Sequence, residues 1–191
     1  MQSLAAGDIF NDSFIYTIRM ANGALSTATA VVQTVGENDA ATFSGDTEAN
    51  ITEDDSNVTG LLVVSDVDHD QSLMLGSLQA GNFGSFSMAA SGNWSYTLGT
   101  DMNYLAAGES VSENFTVQSL DGTETVITLN VDGVNDAAVF SGDLTASLIE
   151  DSLLVTTGVL AVSDADHDQS GFAGTGDLTG TYGDFSFDLT T

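Results

Sequence analysis

Apolar and polar residues alternate along most of this chain, in short runs that break at Gly, Asn, Asp and Ser. A period of two turns one face of an extended segment inward. Residues 114–119 and 124–131 alternate on either side of Asp121-Gly122, and Asp-Gly between such runs predicts a tight hairpin. Residues 83–88 and 94–98 flank Ala89-Ala-Ser-Gly-Asn93, which predicts a second hairpin with a longer loop. Residues 41–43 and 48–52 read as one interrupted strand, and 58–64 as the next. The unbroken Leu61-Leu-Val-Val64 run predicts burial on both faces. No segment sustains a helical period, so the chain is expected to be all-β. About seven strands in a stretch of about 100 residues predict an immunoglobulin-like sandwich.

The pattern also repeats. Gly36-Glu-Asn-Asp-Ala-Ala-Thr-Phe-Ser-Gly-Asp46 recurs as Gly133-Val-Asn-Asp-Ala-Ala-Val-Phe-Ser-Gly-Asp143, and Glu53-Asp54 as Glu150-Asp151. Val64-Ser-Asp-Val-Asp-His-Asp-Gln-Ser72 recurs as Val162-Ser-Asp-Ala-Asp-His-Asp-Gln-Ser170 with one change. Leu4-Ala-Ala-Gly7 is echoed by Leu105-Ala-Ala-Gly108, and Asn22-Gly23 stands where Asp121-Gly122 does in the longer copy. These matches divide the chain into the C-terminal part of one repeat (1–38), a complete repeat (39–136) and the N-terminal part of a third (137–191). Beginning and ending inside repeats, the chain reads as an excerpt from a longer array.

Charge sharpens this picture. One basic residue, Arg19, stands against 28 acids, for a formal net charge of −27. Such a surface repels nucleic acid and anionic membranes and excludes both as partners. The compact state repels itself until cations reduce the field. With no cysteine there is neither a disulfide framework nor a thiolate site, so bound metal is the natural staple. No stretch has the run of about 20 apolar residues that spans a bilayer, so no membrane insertion is expected.

Each repeated turn sets acids at alternate positions directly after an apolar strand: Asp66, Asp68 and Asp70, then Asp164, Asp166 and Asp168. Calcium takes several oxygen ligands at once and suits such groups. Strand counting places them. In a sandwich successive turns alternate between the two poles, so Glu53 and the Asp66-Val-Asp68 turn lie at opposite ends. The turn then faces the incoming linker, Asn38-Asp39, while Glu53 faces the outgoing one, Asn135-Asp136. One junction has its partners complete in this chain: Glu53, Asn135, Asp136, Asp164 and Asp166. At the other, Asn38, Asp39, Asp66 and Asp68 are present. In an extended reading Asp70 and Asp168 point back to solvent.

These residues resemble a known pattern. Glu53 near the first turn, Asp66-Val-Asp68 after the second strand and the Asn-Asp linkers look like the cadherin repeat. The Gly-x-Asn-Asp-Ala linkers and Gly92-Asn-Trp-Ser-Tyr-Thr-Leu98 are similar to the VCBS and bacterial cadherin-like repeats of large secreted adhesins of the RTX type. That resemblance implies tandem cadherin-like sandwiches with Ca2+ at their junctions, on a stalk at the bacterial cell surface. It also implies two further ligands, Glu109 after Leu105-Ala-Ala-Gly and Asp121 before Gly122. Glu109 is one position displaced from the cadherin Glu, and the proline that follows the family's linker is Ala41 or Ala138 here.

The expected function is therefore a calcium-stiffened structural extender of an adhesin, serving cell adhesion and biofilm formation. Its partners are neighbouring repeats of the same chain, and it acts as a monomer. The rival is a carbohydrate-binding module, for which Trp94 would be the stacking platform; a lone Trp on an alternating strand reads better as core. His69 and His167, one per repeat and without cysteine, read as exposed structural residues rather than metal ligands. No nucleophile–base–acid set is present, so the chain is not expected to be an enzyme. The two partial repeats could also complement each other between molecules, but together they lack the hairpin that carries Trp94.

Overall fold

The computed structural model describes residues 3–99, 102–151, 155–174 and 178–187, and among these every regular element is a strand. In order they are β1 (Ile9–Arg19), β2 (Leu25–Val35), β3 (Thr42–Gly45), β4 (Glu48–Thr52), β5 (Asn57–Ser65), β6 (Ser77–Ala80) and β7 (Gly84–Met88). There follow β8 (Asn93–Leu98), β9 (Ser110–Gln118), β10 (Glu124–Asp132), β11 (Val139–Gly142), β12 (Leu160–Ser163), β13 (Leu178–Thr179) and β14 (Asp184–Phe185). The fold is all-β, of the immunoglobulin-like sandwich class.

The complete repeat holds two sheets. One has five strands in the order β3-β5-β8-β7-β6, the other three in the order β4-β10-β9. Alternation decides which side chains meet. Leu62, Phe86, Met88, Trp94, Tyr96 and Leu98 are buried on the first sheet, and Ile51, Phe115, Val117, Ile127 and Leu129 on the second. Phe86 of β7 stacks on Phe115 of β9 with ring centroids 4.8 Å apart, so the core closes there between the layers. Trp94 tilts against Phe86 at 5.9 Å, and its indole N–H donates to the Asp46 carbonyl. The Tyr96 hydroxyl donates to Glu113, whose Oε2 also accepts the Asn82 N–H at 2.8 Å. Burial first, and then Glu113, push the Tyr96 hydroxyl far above its usual pKa.

Two sequence expectations are corrected, and one strand falls outside them. The interrupted first strand is two strands in different sheets: β3 pairs with β5, while β4 joins β10. At the end of β3, Gly45 adopts φ +102°, and its α-carbon leaves no room for a Cβ against the Leu61 carbonyl. The Leu61–Val64 run is not buried on both faces: Leu62 is fully buried, but Leu61 and Val63 are 44% and 48% exposed. Last, β6 was not foreseen. It runs Ser-Leu-Gln-Ala at a sheet edge, and its one large apolar residue, Leu78, is exposed.

Both flanking segments reproduce parts of this plan. β1 and β2 pair in register from Ile9↔Val35 to Arg19↔Leu25, around a turn with Gly23 at φ +87°. β11 pairs with β12 from Val139↔Ser163, matching Thr42↔Ser65 between β3 and β5. Asp143 receives the Val159 N–H just as Asp46 receives that of Leu61. The chain divides into two compact units. One comprises Met1–Ile51, Ser56–Gly99 and Ser112–Asn130; the other comprises Thr52–Asp55, Thr100–Val111 and Val131–Thr191. Each of the two linker regions described next lies within a single unit.

Candidate metal centres at the linkers

The Asp-x-Asp turns are built the same way twice. After β5 the Asp66 N–H donates to Ser72 Oγ, and the Asp68 N–H folds back onto Asp66 Oδ1 at 2.8 Å. After β12 the Asp164 N–H donates to Ser170 Oγ, and the Asp166 N–H to Asp164 Oδ1 at 3.1 Å. Asp70 and Asp168 then take left-handed backbone, at φ 61° and 62°, which Asp tolerates better than most side chains. Both are exposed.

The second acid of each pair is folded in against the linker. Asp68 is 2% exposed and its Oδ2 accepts the Asp39 N–H at 3.0 Å; Asp166 is 1% exposed and its Oδ2 accepts the Asp136 N–H at 3.2 Å. The turn thus meets the incoming linker, as strand counting requires. What these bonds leave over matters most. Asp66 Oδ2, Asp68 Oδ1 and Asp166 Oδ1 are buried oxygens with no hydrogen-bond partner. A buried carboxylate oxygen without a partner is costly, and more so in a chain that carries one basic residue.

The outgoing pole is assembled around Glu53, which is 7% exposed. Its Oε1 accepts the Val134 N–H at 2.9 Å and its Oε2 the Leu105 N–H at 2.8 Å. One carboxylate therefore ties the outgoing linker to the Leu105-Ala-Ala-Gly loop. Asn135 Nδ2 donates to the Asp136 carbonyl, and Asn103 Nδ2 to Asp136 Oδ2 at 2.8 Å. Desolvation first, and then the charges of Asp166, Asp54, Glu53 and Asp164, raise the Asp136 pKa above the usual carboxylate value. Four neighbouring acids therefore disfavour the charge on Asp136.

The remaining candidates are otherwise engaged. Asp121 accepts from the hydroxyls of Ser119 and Thr123, from the Thr123 and Ala41 N–H groups, and from Asn38 Nδ2. Desolvation would raise its pKa, but these bonds outweigh it and hold the carboxyl far below the usual range. Its position is that of a staple between the β9–β10 turn and the incoming linker. Asn38 Nδ2 also reaches the Asp39 carbonyl at 3.0 Å. Glu109 accepts the Ala106 N–H at Oε2 and lies 3.3 Å from His167 Nε2 through Oε1, so both of its oxygens have partners. Asp121→Ala is expected to cost the complete repeat about 1–3 kcal/mol, as several donors lose their acceptor. Because the folded-state pKa is depressed, this contribution is present at neutral pH and is lost only as the pH falls through that value into strong acid. Urea unfolding at neutral pH followed by Trp94 fluorescence measures it.

Among the described residues no three or more acids or histidines are drawn together as a ready metal cage. The fit is instead in the donor type and its unmet need: oxygen-only ligands suited to a hard cation, with buried carboxylate oxygens that lack partners at both turns. Trp94, 2% exposed, offers no face to a sugar. Both histidines are exposed, as the sequence reading has them, and each is bonded. The His69 N–H and Nδ1 both meet the Ser3 carbonyl, at 3.2 and 2.9 Å; those of His167 meet the Tyr104 carbonyl at 3.0 and 2.8 Å. The bond to Tyr104 first, and then Glu109, raise the His167 pKa.

Three comparisons with known proteins bear on the chain. The family model described as bacterial cadherin-like domain matches residues 38–133. Among solved structures, PcdhgB3 EC1-4 aligns over 93% of this chain and 56% of its own, at 11% identity and a TM-score of 0.44. The protocadherin GammaB4 extracellular domain aligns over 93% of this chain and 36% of its own, at 15% identity and a TM-score of 0.43. The chain thus spans little more than half of the first of these and about a third of the second. No curated protein matches it by sequence. Among the described residues no helix is long and apolar enough to cross a membrane.

Proposed function

The chain belongs to the bacterial cadherin-like domain family, and on that premise we propose that its repeats are calcium-stiffened spacers in the stalk of an extracellular bacterial adhesin. Domains of this family are structural and adhesion modules rather than enzymes, and they generally bind calcium. The observation that carries the reading is the pair of buried second acids, Asp68 and Asp166. Each holds a linker N–H with one oxygen and leaves the other without a partner.

This chain's residues divide the work. Asp68 and Asp166 fix the linker main chain to the turn, while Asp66 and Asp164 order the turn by accepting its returning N–H. Glu53 holds the far side of the outgoing linker. Asn135, Asp136, Asp164 and Asp166, with Glu53 beside them, would hold calcium at that linker; Asn38, Asp39, Asp66 and Asp68 would hold it at the other. When bound, calcium supplies the positive charge and oxygen coordination that these carboxylates lack. Linkers held in this way resist bending, and the partners of each repeat are its neighbours in the same chain. Placement in a secreted adhesin of the VCBS type, with a role in biofilm, extends the same proposal.

Calorimetric titration tests it. The intact chain should bind calcium, and Asp164→Ala with Asp166→Ala should remove the binding at the 133–136 linker while leaving the complete repeat folded. Equal calcium uptake by the double variant would defeat the assignment.

A further inference from the structure

We propose that His69 and His167 are inter-repeat latches: each docks the Asp-x-Asp turn of its repeat onto the Leu-Ala-Ala-Gly-acid loop of the repeat before it, without help from calcium. This inference rests on reading the chain as tandem repeats but not on the metal. Its ground is that one unusual contact set occurs twice, at matched positions, between segments more than 60 residues apart.

The contact uses two donors of one histidine. A backbone N–H and the ring Nδ1 of one residue converge on a single carbonyl oxygen, that of Ser3 for His69 and of Tyr104 for His167. A carbonyl has two lone pairs and can accept both. The carbonyl offers no proton, so Nδ1 must carry one and donate. The ring then reaches a carboxylate five residues beyond the carbonyl: Asp8 Oδ2 lies 3.4 Å from His69 Nδ1, and Glu109 Oε1 lies 3.3 Å from His167 Nε2. The longer Glu reaches the far nitrogen where Asp reaches only the near one.

The receiving loop is shaped for this contact. Gly7 and Gly108, at φ +85° and +90°, turn the chain so that Asp8 and Glu109 fold back to accept the Ala5 and Ala106 N–H groups. Gly36 and Gly133 close the loop from behind. A Cβ on either would lie 2.2 or 2.4 Å from the carbonyl oxygen of Ala5 or Ala106. The fitting partner for a His-bearing turn is therefore another repeat that presents Leu-Ala-Ala-Gly followed by an acid. Turn and loop are different surfaces, so the contact joins repeats head to tail. Glu109, which the family resemblance would make a calcium ligand, is assigned to the latch.

The test uses the full chain, which has no native cysteine. Nitroxide labels at Ser91→Cys and Ser141→Cys, both exposed, report the distance distribution between the complete repeat and the next one by pulsed electron spin resonance. In chelator, His167→Ala should lower the docked-to-undocked ratio by about fivefold or more, seen as a broader distribution. His167→Asn, whose short amide can still donate to the Tyr104 carbonyl, should recover part of the narrow component. Unchanged Trp94 fluorescence would confirm that the repeat is folded. Identical distributions for wild type and His167→Ala in chelator would overturn the latch. The calcium reading is judged separately, by whether calcium narrows the wild-type distribution, so either idea can fail alone.

Discussion

Phe86→Ala is expected to destabilise the complete repeat by about 3–5 kcal/mol, the usual cost of emptying a buried aromatic site. Phe86 is wholly buried, stacks on Phe115 of the opposite sheet at 4.8 Å and supports Trp94 at 5.9 Å. Domains of this size are stable by only about 5–15 kcal/mol, so the variant should sit near the limit of folding. Trp94 is the one tryptophan, so its fluorescence in a urea titration reports this repeat alone. A loss below about 1 kcal/mol, the level of a mild core change, would mean that the sheets do not close through Phe86.

Replacing Asp66 and Asp68 together by Asn should reverse the order of stability between two conditions. In chelator the double variant should be the more stable, by about 1–3 kcal/mol, because two buried oxygens without partners give way to neutral amides. The acceptor roles survive, since Asn keeps an oxygen for the Asp39 and Asp68 N–H groups. With calcium at about 100 times its dissociation constant the wild type should gain about 2.7 kcal/mol, and the variant almost nothing. The same urea titration reads both arms. A variant that is weaker than wild type in chelator would show that the carboxylates are already satisfied, and the need for a cation would disappear.

The fold was legible wherever alternation and turn chemistry agreed. Asp121-Gly122 and Asn22-Gly23 marked hairpins that the structure contains, with both glycines in left-handed backbone. Strand counting located the Asp-x-Asp turns at the incoming linker and Glu53 at the outgoing one, because sandwich strands traverse the domain and turns must alternate. The failures have local causes. Leu61 and Val63 look like core residues by composition, yet their sheet has an open outer face. β6 carries too few apolar residues to signal a strand and is held by pairing with β7. Glu113 sits at an inward position of β9, where an acid counts against burial, and the Tyr96 hydroxyl with the Asn82 and Phe83 N–H groups explains it. His69 and His167 gave no chemical signal singly. The clue lay in relating the repeated His to the repeated Leu-Ala-Ala-Gly loop, two motifs that the sequence shows separately and only folding brings together.

The central claim is that cations stiffen the linkers. Small-angle scattering from the full chain, in millimolar calcium and in chelator, addresses it most directly. A longer maximum dimension and a narrower range of shapes in calcium, lost in Asp164→Ala with Asp166→Ala, is the predicted result. Superimposable curves in the two buffers would contradict the account, and would reduce the acidic turns to a linker-anchoring role that needs no metal.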